Sequence, residues 1–515
     1  MGPRMITRRR ALAEALAAAG AGLGTGGLVL GGCSGTGARS PARSGSTLES
    51  TWTDPVGDAQ LQVGLGEPLL DRVELGGAAR PAGALVTLAH LTDAHVLDAS
   101  SPARVTFLDR LGSPFESTFR PQEALTVQVL AGAAAAVRAL GPQLVIQGGD
   151  LIDNDQANEL AQALAVLRGG TVRPGSGPDG YHGVQSASDS DPFYYRPEID
   201  APRHPGLLQA AVRPFTTAGL RARWCSVLGD HDALVAGELV PTQLTRSLAS
   251  GDRAVWDLPQ GVSPPRGERL TTGADASPDG PPQRVLVDRL LTQALGGPTV
   301  RVPADPARRE MTFAEVIGRL RSAGGPVDGG GSVPGRLDYV LDLGQRVRVI
   351  VLDLVRRGGG SGGRAVPGQA AWLELQLATA AQRWVIVVTH QPVATSEHGD
   401  TLLSLLDEHP YVIATIAGHT HKNRIVPRPT AAGGYWQITT ASLIDYPQQA
   451  RALRIVATAG GGVAVQTWML DHVYPSPLGA ISRQLSFLDA QGGRTREFAG
   501  DRLDRNVTLY RRAPG

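Results

Sequence analysis

Five apolar runs, spread over more than three hundred residues, each break at a short loop of glycine, aspartate or histidine, and this recurrence most constrains the fold. Val145-Ile146-Gln147-Gly148-Gly149-Asp150-Leu151-Ile152-Asp153 shows the pattern in full. Leu144 to Ile146 reads as a buried strand, and the two glycines let the backbone turn where a Cβ would crowd it. Ala84 to Leu91 runs in the same way into Asp93-Ala94-His95, and Arg223 to Leu228 into Gly229-Asp230-His231-Asp232. Trp384 to Val388 leads to His390, and Tyr411 to Ile416 to Gly418-His419-Thr420-His421. Pro121 to Leu140 has helical spacing and stops at Gly141-Pro142. Strand, helix and strand over this length make a βαβ unit, so the chain is of the α/β class. In open α/β sheets the carboxyl ends of the strands carry the ligand site.

Five of the eleven histidines fall in these loops, which occupy a small part of the 515 residues. Histidines placed for packing would not gather this way. Imidazole with carboxylate suits borderline divalent ions, Mn, Fe, Zn or Co, rather than Ca. A carboxylate has two oxygens, so Asp150 can bridge. Two ions about 3.5 to 4 Å apart can clamp both oxygens of an in-line displacement at phosphorus. The net charge of +1 gives no reason to expect a nucleic acid partner.

The first 33 residues differ in kind. Thr7-Arg8-Arg9-Arg10-Ala11-Leu12 has the form of a twin-arginine export motif, and the Ala/Gly-rich stretch after it is too mildly hydrophobic for a permanent span. Leu30-Gly31-Gly32-Cys33 resembles a lipobox, in which Cys33 would carry lipid; a simple cleaved signal is the alternative. Residues 34 to 80 read as a flexible tether, rich at first in Ser, Gly, Arg and Thr. Cys225, in an apolar run, reads as buried and inert.

Regular patterning fades over residues 168 to 206 and 248 to 335, apart from a helix near Thr312 to Ser322. Such lengths suit disordered segments or functional lids rather than simple connections. The aromatic knot Phe193-Tyr194-Tyr195 fits either stacking on a substrate ring or packing inside the loop. From Leu337 onward strands recur, with a helix from Gln369 to Ala378, and after about Tyr474 no period is visible.

Asp-x-His, Gly-Asp-x-x-Asp, a Gly-Asp-His-Asp loop, a lone His after a strand and Gly-His-x-His, in that order, resemble the calcineurin-like metallophosphoesterases. The likeness is to an exported bacterial subgroup with a twin-arginine signal and long inserts between motifs. It makes 81 to 475 the catalytic domain, with inserts at 168–206 and 248–335, and leaves 476–515 as a tail of unassigned structure. It implies a four-layer α/β/β/α sandwich of two mixed sheets with helices outside. It also implies that Asp93, His95 and His421 hold one divalent ion, that Asp150 bridges, and that Asp230, His390 and His419 hold the other. His231 would be the general acid, with Asp153 holding its imidazole, and Asp232 would anchor the loop.

The implied activity is two-metal hydrolysis of a phosphate monoester or diester by metal-bound hydroxide. The alternatives are a nucleotide or cyclic nucleotide phosphodiesterase, or a metal-containing envelope protein that binds without turnover. The expected partner is a small phosphorylated substrate, with membrane contact only through lipid on Cys33, and the expected place is outside the cytoplasm. Where the family pattern has Asn this chain has Asp230, which removes one unit of positive charge from the loaded site. Lys422, Asn423 and Arg424 follow the last of these histidines and read as a solvated loop, with contact to substrate the alternative, and His90, His182, His204, His398, His409 and His472 read as structural.

Overall fold

The structure, a computed structural model, describes residues 42–111, 118–261, 284–324, 333–492 and 496–514. The expected export signal and Cys33 lie outside the described residues. Two large mixed sheets form the body. The first has seven strands in the spatial order Leu70–Leu75, Val507–Arg511, Val463–Asp471, Gln449–Thr458, Pro81–Leu91, Leu144–Gln147 and Trp224–Ser226. The second has six: Tyr339–Leu343, Val347–Val351, Trp384–Val388, Val412–Ala417, Tyr435–Thr439 and Arg424–Arg428.

The apolar runs alternate their side chains between two faces. Ile386, Val388 and Ile416 point into the large core between the sheets, together with Leu453, Ile455 and Val465 from the first sheet. On the outer face of the second sheet Ile350, Val385 and Val387 meet Leu373 and Leu377 of the helix Gln369–Ala378 and Leu402 and Leu406 of Gly399–Glu408. The helices Thr126–Leu140 and Ala157–Arg168 cover the first sheet, so the four-layer α/β/β/α order is the one observed. Glu123–Leu140 is also long and apolar enough to cross a membrane, but 72% of its apolar window is buried against this sheet.

Register brings the loops together. Leu91 pairs with Gln147 and Gln147 with Ser226, all parallel, so the chain leaves three neighbouring strands at one edge toward Asp93, Asp150 and Asp230. In the second sheet Val388 lies beside Ile416 and Ile416 beside Ile438, which delivers His390, His419 and the loop after Thr439 to the same edge.

Two stretches carry structure that the sequence reading did not assign. Within the 34–80 segment, expected to be a tether, Ser50–Thr53 pairs with Gln62–Leu65 and Leu70–Leu75 edges the first sheet. The 476–515 segment supplies the helix Pro477–Gly492 and the strand Val507–Arg511, which is inserted between Leu70–Leu75 and Val463–Asp471. Leu70–Leu75 and Val507–Arg511 gain their order from pairing with distant strands, which a local pattern does not display.

The aromatic knot is core. Tyr194 is fully buried, packed edge-on against Phe119 and Phe193, and its hydroxyl donates to the carbonyl of Trp256 at 2.7 Å. The two long inserts meet at the buried carboxylate of Asp98, which accepts from Ser176 of the first and from Arg308 Nε of the second at 3.0 Å.

Candidate metal centre

At the shared edge the seven expected ligands converge. Asp93, His95 and His421 offer donor atoms within 4.8 Å of one another, and Asp150, Asp230, His390 and His419 form a second such group. Asp150 borders both, since its Oδ2 lies 3.7 Å from His95 Nε2 and 3.1 Å from His390 Nε2. In the second group Asp230 Oδ1 lies 3.2 Å from His390 Nε2 and 3.3 Å from His419 Nδ1. In the first, Asp93 Oδ1 lies 3.4 Å from His421 Nε2.

The backbone is bent to aim these groups. Among the described residues Asp93 (φ +53°), His95 (+43°), Asp150 (+47°), His419 (+65°) and His421 (+55°) all adopt left-handed conformations that L side chains rarely take. Strain of this kind persists only where the surroundings over-determine it, and it clusters at functional sites. Glycines clear the space. A Cβ on Gly149 would stand 2.4 Å from His390 Nδ1, and one on Gly418 2.5 Å from Asp93 Oδ2.

The donor set fits cations. His95 Nδ1 is tied to Asp153 Oδ1 at 3.1 Å and His421 Nδ1 to Asp445 Oδ2 at 2.6 Å. Carboxylates accept, so each ring carries its proton on Nδ1 and presents a lone pair on Nε2. Those two Nε2 atoms face each other at 3.3 Å, an arrangement that repels unless a positive charge lies against both. His390 repeats the theme: Nδ1 is held by the carbonyl of Gly148 at 2.8 Å, and its buried Nε2 faces Asp150 Oδ2 at 3.1 Å and Asp230 Oδ1 at 3.2 Å.

His231 stands beside the first group, its ring centroid 4.4 Å from that of His95. Its main-chain N–H donates to Asp150 Oδ1 at 2.9 Å. Its Nδ1 lies 2.7 Å from the main-chain oxygen of Asp153, whereas the Asp153 carboxylate is 3.9 Å away. Asp153 thus meets the His231 imidazole through its main-chain oxygen, while Arg104 draws its carboxylate to the side where it meets His95. Burial alone would lower the His231 pKa, and the charges of Asp150, Asp230 and Asp153 outweigh it, so the imidazole sits above its ordinary value. Burial would raise Asp153, and Arg104 outweighs that, holding it well below the usual carboxylate range.

Asp232 takes no part in either donor group. Its carboxylate accepts from the backbone N–H groups of Leu151, Ile152 and Gly229, tying two site loops together, as expected of an anchor. Burial and the neighbouring Asp150 push it up to about 7. Lys422 pairs with Glu497 at 2.9 Å on the surface, and Asn423 is buried, accepting from Arg451 at 2.9 Å. His409 and His472 bond to Leu377 and Gln448, away from the centre. Cys225 is buried, and burial pushes its thiol up to about 12.

Sequence reasoning missed Asp445, Arg120, Arg104 and Gln391. Gln391 Nε2 donates to Asp230 Oδ1 at 2.9 Å, and Arg120 Nε to Asp445 Oδ1 at 2.7 Å. Asp445 lies after a strand, Tyr435–Thr439, whose loop carries no histidine, so nothing in its neighbourhood marked it.

No family model matches the sequence, and no curated protein does so significantly. Solved structures do show likeness. A dimetal phosphatase from Danio rerio aligns over 76% of this chain and 99% of its own, at 13% identity and a TM-score of 0.39. Purple acid phosphatase PPD1 from yellow lupin seeds aligns over 87% of this chain and 55% of its own, at 11% identity and a TM-score of 0.31. PhoD aligns over 80% and 74%, at 13% identity and a TM-score of 0.29. At such low identity and TM-score the chemistry has to be read from this chain's own side chains. Those side chains form a cage of three aspartates and four histidines, buried except at His419 and His421, with a further histidine beside it, at the edge of a two-sheet α/β sandwich.

Proposed function

We propose that the chain is a metallophosphoesterase that hydrolyses a small phosphate monoester or diester with two divalent ions, Mn, Fe, Zn or Co, held by Asp93, His95, Asp150, Asp230, His390, His419 and His421. The observation that carries this is the pair of donor groups sharing Asp150 as a common wall, with His231 at their side. Two ions bound there would acidify a water and neutralise charge on the phosphoryl oxygens.

The protein's own part follows from the geometry. The carbonyl of Asp153 can only accept, so His231 keeps a proton on Nδ1 and has Nε2 free to carry a second. Gly237 leaves room at that nitrogen, because a Cβ there would lie 2.4 Å from it. The carboxylates around His231 favour the doubly protonated ring, which suits it to donate the Nε2 proton to a leaving oxygen. Asp230, anionic where the family pattern has a neutral amide, makes the cage less attractive to a phosphate dianion and favours a singly charged diester. The export motif supports action outside the cytoplasm.

The test is the Mn²⁺-loaded full chain on bis-p-nitrophenyl phosphate and p-nitrophenyl phosphate. Turnover of either, with the diester preferred, is expected. No turnover with any divalent ion, but recovery in Asp230→Asn, would show a metal-holding binding protein instead.

A further inference from the structure

The two donor groups are backed in different ways. In the Asp93 group both imidazoles rest on buried carboxylates, His95 on Asp153 at 3.1 Å and His421 on Asp445 at 2.6 Å. Each carboxylate is gripped in turn by a buried arginine. Arg104 Nη1 holds Asp153 Oδ2, while Arg120 meets both oxygens of Asp445, Nε at 2.7 Å and Nη2 at 3.2 Å. Asp153, Asp445, Arg104 and Arg120 are all buried. The result is two His-Asp-Arg relays converging on one metal position from four separate stretches of chain.

The other group has no such backing. His390 Nδ1 rests on the neutral carbonyl of Gly148 at 2.8 Å. His419 turns its Nδ1 toward Asp230, and its side chain is 20% exposed. Formal charge does not separate the two positions, because Asp150 borders both and each adds one carboxylate of its own, Asp93 or Asp230.

Backing separates them. A carboxylate that accepts the Nδ1 proton makes Nε2 a stronger base and pins the ring, and it does both more firmly than a carbonyl. An arginine fork keeps that carboxylate ionised and fixed. Taking the two-ion reading above as its base, we propose that Asp445 and Asp153, each set by its arginine, are positioning residues. They make the Asp93–His95–His421 position the tighter of the two, so that the ions load in sequence.

The test is Mn²⁺ titration of the chelator-stripped full chain by calorimetry, with bound ions counted by electron paramagnetic resonance. Wild type should show two binding events whose Kd values differ by about 10-fold or more. Asp445→Asn keeps the shape and still accepts the Nδ1 proton, so it should weaken the tighter event by about 10- to 100-fold and spare the weaker. His419→Ala should remove the weaker event alone. A purely structural role for Asp445 would instead lower the melting temperature of the metal-free chain and leave the separation of the two events unchanged.

Two equal affinities in wild type would overturn the proposal, as would Asp445→Asn weakening both events alike or neither. Should that variant not fold, the wild-type titration and Asp153→Asn decide. The outcomes separate from those for the hydrolase. A chain that turns over with two equal sites sinks this inference alone, and one with unequal sites but no turnover sinks only the hydrolase.

Discussion

His231 is held by the main chain of Asp153, its Nδ1 2.7 Å from that carbonyl, while the Asp153 carboxylate serves His95 at 3.1 Å. One residue thus orients both the candidate acid and a candidate ligand, through different atoms. Changing its side chain should therefore affect metal binding and leave the acid in place. In Asp153→Asn more Mn²⁺ should be needed for full activity, and the limb of the kcat–pH profile that reports His231 should move to lower pH, because one of the charges that raise that imidazole is gone. An unshifted profile would mean that the carboxylate charge does not reach His231.

His231→Ala should lower kcat by about 10²- to 10⁴-fold while two ions per chain remain bound, as counted by elemental analysis. The loss should be smaller with a p-nitrophenolate leaving group, which needs little protonation, than with an alkyl ester. Equal losses on both would argue against a proton donor.

Two glycines near the site should behave differently when changed to alanine. Gly149 has φ +97° and would put its Cβ 2.4 Å from His390 Nδ1, so Gly149→Ala should displace a ligand and reduce bound metal. Gly237 has φ +71° and would put its Cβ 2.4 Å from His231 Nε2 and 2.7 Å from Asp230 Oδ2, so Gly237→Ala should lose turnover and loosen the ion at Asp230 while sparing the Asp93 group. Metal content and kcat, measured together, check both.

Tyr194 is core, so Tyr194→Phe should cost about 0.5 to 1.5 kcal/mol of stability through the lost bond to Trp256. Its KM should not change. A raised KM with unchanged melting would restore the stacking role.

His472 is fully buried, and burial first, then Arg483, hold its pKa well below the ordinary value. The unfolded chain takes up that proton near pH 6.5 and the folded chain refuses it. Below about pH 6.5 the unfolded state binds the extra proton, so stability falls with pH by up to about 1.4 kcal/mol per unit from this group. Above that pH the contribution is flat. As pH is lowered from 7 to 5, denaturant midpoints should fall less steeply in His472→Asn than in wild type.

Much of the site was legible because its residues sit where apolar runs end, and that pattern survives in one dimension. Asp93, His95, Asp150, Asp230, His390, His419 and His421 are each marked by a strand just before them, so their convergence follows once the strands lie parallel in two sheets. The same logic placed the helix Gln369–Ala378 and the strand Trp384–Val388.

What the chain order could not carry was everything set by contact across the fold. Asp445 matters because its loop leaves a strand beside Val412–Ala417, and Arg120 because it reaches that carboxylate across 325 residues. The strands Leu70–Leu75 and Val507–Arg511 exist because Val507–Arg511 pairs along the edge strand Val463–Asp471 of the core and Leu70–Leu75 pairs along it in turn. Which atom of Asp153 meets His231 was decided by Arg104, an ion pair formed inside the folded protein. Local sequence determines where a strand stops and which donor follows. Only packing decides what stands behind that donor, because hydrogen bonds and buried ion pairs join residues by distance in space.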